Sequence, residues 1–156
     1  MVTLRVYQPE DLPRLKEITV ATFTPVSIDA NIEKKFGLVA GLDWKARKTK
    51  DIERDCEINP AGVFVAEAAG EVVGYITTVL DSYTRIGRIP NLAVDPGYQG
   101  QGIGQMLIER ALDYFRENDM AMAKIETLAQ NERGQRLYPK MGFHEVARQV
   151  HYVMPL

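Results

Sequence analysis

The chain of 156 residues predicts an α+β fold built on a mostly antiparallel sheet that becomes locally parallel in its centre. Three observations predict it. β-rich runs at 63–66 and 72–79 flank a turn-like segment containing Ala69-Gly70-Glu71, the pattern of an antiparallel hairpin. Leu107, Ile108, Ala111, Leu112 and Phe115 recur at spacings of three and four after a strand and turn, and another β-rich run follows at 124–128, giving a strand-helix-strand unit. The composition, 46% hydrophobic and 26% charged, is that of one globular domain long enough for a sizeable core.

Leu4 and Val6, alternating with Arg5 and Tyr7, read as a first strand. Asp11 is placed to cap the next helix, which tolerates Pro13 only in its first turn, and Leu15, Ile18 and Ala21 give that helix an apolar face. Residues 24–42, with Pro25, Gly37 and Gly41, show no period and read as irregular. Residues 44–59 read as a second, more exposed helix ended by Asn59-Pro60. After the hairpin a third β-rich run spans 86–94; its interior Pro90 cannot donate to a ladder, which predicts a bulge or an unpaired edge. A short helix is expected over 131–138 and a closing hairpin over 143–154.

The net charge is −2, from 19 basic and 21 acidic residues, so no electrostatic footprint for nucleic acid or an anionic membrane stands out. The basic run Lys45, Arg47, Lys48 and Lys50 passes directly into Asp51, Glu53, Asp55 and Glu57 and reads as a solvated helix face. Cys56 is the only cysteine, which excludes an intramolecular disulfide and a cysteine metal cluster. With no signal-like or membrane-length apolar run, a cytoplasmic protein is expected.

Chemistry concentrates where the strand ending Leu92-Ala93-Val94 passes through Asp95-Pro96-Gly97-Tyr98 into Gln99, Gly100, Gln101, Gly102, Ile103 and Gly104. Glycines at alternate positions let backbone N–H groups converge, and the helix start adds partial positive charge, so the turn suits a phosphate or pyrophosphate. Gly104 is also expected to begin the buried helix face and pack closely on the strand. A dinucleotide fingerprint would read Gly-x-Gly-x-x-Gly with an acidic residue on a second strand, and a P-loop would end Gly-Lys-Ser/Thr; neither is present. A glycine-rich turn with no ligand is the structural alternative.

Gln99-x-x-Gly102-x-Gly104 after Leu92-Ala93-Val94 resembles the GNAT superfamily of N-acetyltransferases. Leu4-Arg5 and Asp11-Leu12 look like that family's opening strand and helix, and Asn131, Leu137-Tyr138 and Gly142-Phe143 match its late helix and following turn. The resemblance implies one domain over residues 1–156, with a mixed central sheet of about six or seven strands flanked by about four helices. It implies acetyl-coenzyme A as acetyl donor and no metal. The N–H groups of Gln99, Gly100, Gln101, Gly102, Ile103 and Gly104 would hold the pyrophosphate, and the Leu92-Ala93-Val94 strand would pair through Leu92 and Val94 with the pantetheine arm. Asn131 would contact the pantetheine or, equally, cap its helix.

Amine acetylation needs a neutral amine and an acid for the departing thiolate. Tyr138 resembles the family tyrosine near the cofactor sulfur and is the candidate acid and cofactor contact, against a role as an aromatic core residue. Glu126, twelve residues before Tyr138, resembles the glutamate base of bacterial ribosomal-protein N-terminal acetyltransferases; pairing with Lys124 explains it as well. Asn91 stands where many members carry an acid, and an amide cannot take the proton. His144 and His151 read as structural or surface groups, and Cys56 as inert, which favours direct transfer in a ternary complex over an acetyl-cysteine.

The activity implied is acetyl transfer to a primary amine of a small molecule or protein; the rival reading is a catalytically silent acyl-coenzyme A-binding module that regulates a partner. Glu33, Asp43, Tyr83 and Tyr152 could meet a cationic or aromatic amine, and surface placement explains each equally. Exposed edges on a late hairpin would also let two copies pair as a homodimer.

Overall fold

The computed structural model describes residues 1–24 and 26–156; Pro25, read above within the irregular stretch, lies outside them. Along the chain run β1 (Val2–Val6), α1 (Leu12–Phe23), α2 (Ile28–Phe36), α3 (Trp44–Ile58), β2 (Phe64–Ala68), β3 (Glu71–Ile76), β4 (Val79–Asp81), β5 (Ile86–Ile89), β6 (Leu92–Val94), α4 (Ile103–Glu117), β7 (Met122–Ile125) and α5 (Glu132–Lys140). The fold is α+β, as expected.

The strands form two sheets. β1-β2-β3-β6 is antiparallel throughout; in β4-β5-β7 the β5·β7 pair is parallel. The division arises because the runs at 72–79 and 86–94 both break at one level. β3 ends at Ile76 and the chain resumes as β4, while Pro90 and Asn91 separate β5 from β6. At the break Thr77 N donates to Asn91 O at 2.9 Å, and Asn91 N donates to Thr77 Oγ1 at 3.1 Å. Side-chain faces reverse there: Ile89 joins the core beneath α4, whereas Ala93 joins the core beneath α1 and α3. The bulge expected at Pro90 is present.

Two apolar layers sandwich the first sheet. In β2, Phe64, Ala66 and Ala68 face Ile103, Leu107, Ile108, Ala111 and Phe115 of α4, while Val65 and the preceding Val63 face Leu15, Ile18, Ile52 and Cys56 of α1 and α3. This is the period of two expected of a strand covered on both sides. Each fully buried Leu or Ile contributes ~1.5–3 kcal/mol of transfer energy. Gly87 lets α4 sit down on β5, since a Cβ there would stand 2.4 Å from Phe115 Cδ1.

Several expectations are corrected. Residues 28–36 are helical: Ser27 Oγ accepts from Ala30 N at 2.9 Å, and Gly37 closes the helix at φ +80°. These caps form a helix with no buried residue, which is why it lacks an apolar period. Ala21 is exposed, and Thr19 is buried with Leu15 and Ile18 instead. Asp11 makes no side-chain cap to α1; its carboxylate accepts from Gln8 N at 2.8 Å and pairs with Arg5, also at 2.8 Å. The closing hairpin is not formed. Residues 143–156 are neither strand nor helix, and Val146, Val150, Tyr152 and Met154 stay exposed; strand propensity without a covered face does not make a strand.

Candidate functional site

β6 lies at the edge of its sheet. Asn91 O and Asp95 N bond towards β3, to Thr77 N at 2.9 Å and Val73 O at 2.8 Å, and Ala93 between them pairs with Tyr75. Antiparallel strands alternate, so Leu92 and Val94 turn their backbone groups to the open side. The Val94 carbonyl is occupied, accepting from Gln99 Nε2 at 2.9 Å and Thr22 Oγ1 at 3.4 Å. Among the described residues nothing bonds to the Leu92 backbone groups or to the Val94 N–H. Ala93 instead contributes a buried methyl to the α1/α3 core.

The edge runs straight into the glycine turn. Gly100 and Gly102 sit at φ +79° and +81°, where a side chain is strained, and neither has an atom within 4 Å of a Cβ position. Gly102 is the N-cap of α4 and supplies no side-chain cap, so the first-turn N–H groups of Ile103, Gly104 and Gln105 have no intrahelical acceptor. Uncapped N–H groups at a helix start are chemically suited to an anion. Gly104 is only partly buried, and a Cβ there would meet Leu137 at 3.7 Å and Val94 at 3.9 Å, ordinary contacts. The expected close packing of Gly104 is therefore not what requires glycine.

α5 closes the far side. Asn131 Oδ1 accepts from Gly134 N at 3.1 Å and its Nδ2 donates to Thr127 Oγ1 at 2.7 Å, so it is a helix cap. Gly134 permits this, because a Cβ would stand 2.7 Å from Asn131 Nδ2 and 3.0 Å from Tyr138 Cε2. Tyr138 is half-buried, its ring edge-on to Phe143 at 6.2 Å. Among the described residues its hydroxyl has no hydrogen-bond partner, and burial pushes the phenol up to about 12.

Residues 29–143 match the model of the Acetyltransferase (GNAT) family. The chain belongs to this family. It is 34% identical over 114 residues to a mycothiol acetyltransferase of Acidimicrobium ferrooxidans, covering 69% of this chain and 37% of that relative. The chain thus spans less than half the length of that curated relative. The fold is similar to the ribosomal-protein-S18-alanine N-acetyltransferase of Escherichia coli, with TM-score 0.69 and 22% identity over 94% of this chain and 80% of the other. It is also similar to a PaiA N-acetyltransferase of Thermoplasma acidophilum solved with coenzyme A, with TM-score 0.71 and 18% identity over 90% and 87% of the two chains.

Within this GNAT chain, Glu126 lies one residue past β7, since the strand ends earlier than the run at 124–128 suggested. It is exposed and pairs with Lys124 at 3.5 Å. In the parallel register Ile89 faces Ile125, so one further step places Glu126 opposite Pro90, at the mouth of the split between β6 and β7. His144, His151, Tyr83 and Tyr152 are exposed. Glu33 accepts from Trp44 N at 3.3 Å, and Asp43 caps α3 by accepting from Ala46 N at 2.8 Å. Cys56 is buried among apolar side chains, and burial pushes its thiol up to about 11.

A polar cluster escaped the sequence reading. Asn91 Nδ2 donates to Asp55 Oδ2 at 2.7 Å, Thr77 Oγ1 donates to the same oxygen at 2.8 Å, and Lys48 Nζ donates to Asn91 Oδ1 at 2.7 Å. This clamps the bulge from both ends of the Asn91 amide. Asn91 was visible in sequence; Lys48 and Asp55, in a run of balanced charge, carried no signal. Arg133, whose Nη1 donates to Gln99 Oε1, was also missed and ties α5 to the turn.

Proposed function

We propose that the chain transfers the acetyl group of acetyl-coenzyme A directly to a primary amine in a ternary complex, acting as one domain. The observation that carries this reading is the continuity of the open β6 edge with the uncapped start of α4. The edge offers amide groups to a pantetheine arm, and the turn offers converging N–H donors to a pyrophosphate. The residues fit the donor: Gly100 and Gly102 leave the open space that close approach to the backbone requires.

Acetyl-coenzyme A supplies the activated acyl group. The new N–C bond forms as the C–S bond breaks, and the amine proton must leave while the thiolate gains one. Tyr138 holds its proton through the neutral range and, among the described residues, its hydroxyl has no protein partner, which suits it to protonate the thiolate. Glu126, exposed at the mouth of the split, suits proton removal through water. A buried, protonated Cys56 supports direct transfer rather than an acetyl-cysteine. Asn131 acts by holding the start of α5 beside this path.

The test is coenzyme A release with a panel of amines, alongside the thermal shift given by acetyl-coenzyme A. Amine-dependent release with a stabilising shift supports the transferase. A stabilising shift with no release from any amine class makes the chain a binding module, and no shift refutes the donor site.

A further inference from the structure

The charged run in α3 is not uniformly solvated. Lys48 turns inward, its Nζ 4.4 Å from the centroid of the Phe23 ring and 2.7 Å from Asn91 Oδ1. Among the described residues no carboxylate comes within ion-pair distance of it. The acidic groups nearby are engaged elsewhere: Asp29 with Arg47 at 3.2 Å, Asp51 with Arg54 at 3.5 Å, and Asp55 with Asn91 Nδ2 and Thr77 Oγ1 at 2.7 and 2.8 Å. These charges sum to zero, Lys48, Arg47 and Arg54 against Asp29, Asp51 and Asp55, but Lys48 reaches Asp55 only through the Asn91 amide. Burial lowers its hold on the proton, and the surrounding carboxylates oppose that.

Among the described residues the half-buried ammonium has a neutral amide as its one hydrogen-bond partner, which leaves it donors to spare and a desolvation cost that no direct ion pair offsets. Its position gives that imbalance a use. Asn91 directly precedes Leu92, the first residue of the open edge, and its side chain lies on the α1/α3 face, away from α4.

Resting on the reading of this edge as the acyl-donor site, we infer that Lys48 is a specificity-determining residue that selects amine acceptors carrying a carboxylate close to the amine, the amino-acid class, over polycationic amines. A single ammonium is a point charge suited to one carboxylate, and it repels the second charge of a polyamine. The Phe23 ring beneath it holds the ammonium in place without neutralising it.

The test uses nearly isosteric pairs that differ by one charge. Calorimetric titration with an N-acetyl amino acid and its carboxamide, with and without coenzyme A, reads the acid–amide ratio independently of turnover. Wild type is expected to bind the acid about tenfold more tightly, ~1.4 kcal/mol. Lys48→Met should bring the ratio close to one, and Lys48→Arg should retain most of it. In turnover, the matching free amino acid should exceed its amide and a polyamine in kcat/KM, with the preference residing in KM. Equal binding of acid and amide to wild type, or a preference that survives Lys48→Met, overturns the inference. Loss of turnover with every amine counts against the transferase reading alone, because the binding ratio still reports on Lys48.

Discussion

Tyr138→Phe removes one oxygen and separates chemistry from packing. The ring keeps its edge-on contact with Phe143 at 6.2 Å and its place against the α4 core. No described protein group bonds to the hydroxyl, so its loss strands no partner, and stability should change by less than ~1 kcal/mol. If Tyr138 protonates the thiolate, turnover should fall about 10²–10⁴-fold, or ~3–5 kcal/mol of barrier. The two effects thus differ severalfold in energy. Coenzyme A release under saturating donor and amine reads kcat, and thermal unfolding reads the fold. Burial holds the phenol near 12, so wild-type kcat should show no alkaline loss from this group below about pH 11. A folded Phe variant with kcat within about threefold of wild type would remove Tyr138 as the acid and leave water to serve the thiolate.

Gly102→Ala meets no atom within 4 Å, so its cost is that of a left-handed alanine at φ +81°, ~1–2 kcal/mol, seen as a lower Tm. The same variant should weaken acetyl-coenzyme A binding about tenfold by crowding the cradle, and an unchanged Kd would argue against the turn as the pyrophosphate site. Glu126→Gln should lower kcat about 10²-fold while leaving acetyl-coenzyme A binding unchanged, because the amide cannot take the amine proton, and turnover equal to wild type would leave proton removal to another group. Cys56 is raised from 9.0 to about 11 by burial, so the folded state holds its proton more tightly than the unfolded chain. That stabilisation is complete below about pH 9 and is lost as pH rises towards 11. Tm should fall over this interval and fall less in Cys56→Ala; equal slopes would dismiss the thiol as the cause.

Legibility followed how local each signal is. The bulge at Pro90, the hairpin over β2 and β3, and the apolar face of α4 were all readable, because a missing N–H, a tight turn and a helical period are encoded by neighbours in sequence. α2 was missed although Ser27, Lys34, Lys35 and Gly37 carry end signals, since a helix that buries nothing shows no apolar stripe. The tail erred the other way: Val146, Val150 and Tyr152 favour strands, but only tertiary partners decide whether a strand forms. The glycine turn was legible as a strand-to-helix turn from its glycines at alternate positions, whereas the clamp of Lys48, Asp55 and Thr77 on Asn91 joins residues up to 43 positions apart. No spacing rule reaches that far.

The clamp also changes which residues open the site. Glycines at 100 and 102 shape the cradle, but they explain nothing about why the β6 edge stays unpaired. β7 runs parallel to β5 as far as Ile125 opposite Ile89, and the next step would need an N–H from Pro90. The ladder ends there, with Glu126 at the point of divergence. Beyond it, Thr77 satisfies both backbone groups of Asn91, and Asp55 and Lys48 hold its amide, so β6 is fixed to β3 and cannot swing back towards β7. The open edge is thus a product of a missing donor on one side and a fully satisfied bulge on the other. The same bulge sets Lys48, which meets no carboxylate directly among the described residues, beside the start of that edge, where the proposed acceptor's carboxylate would be read.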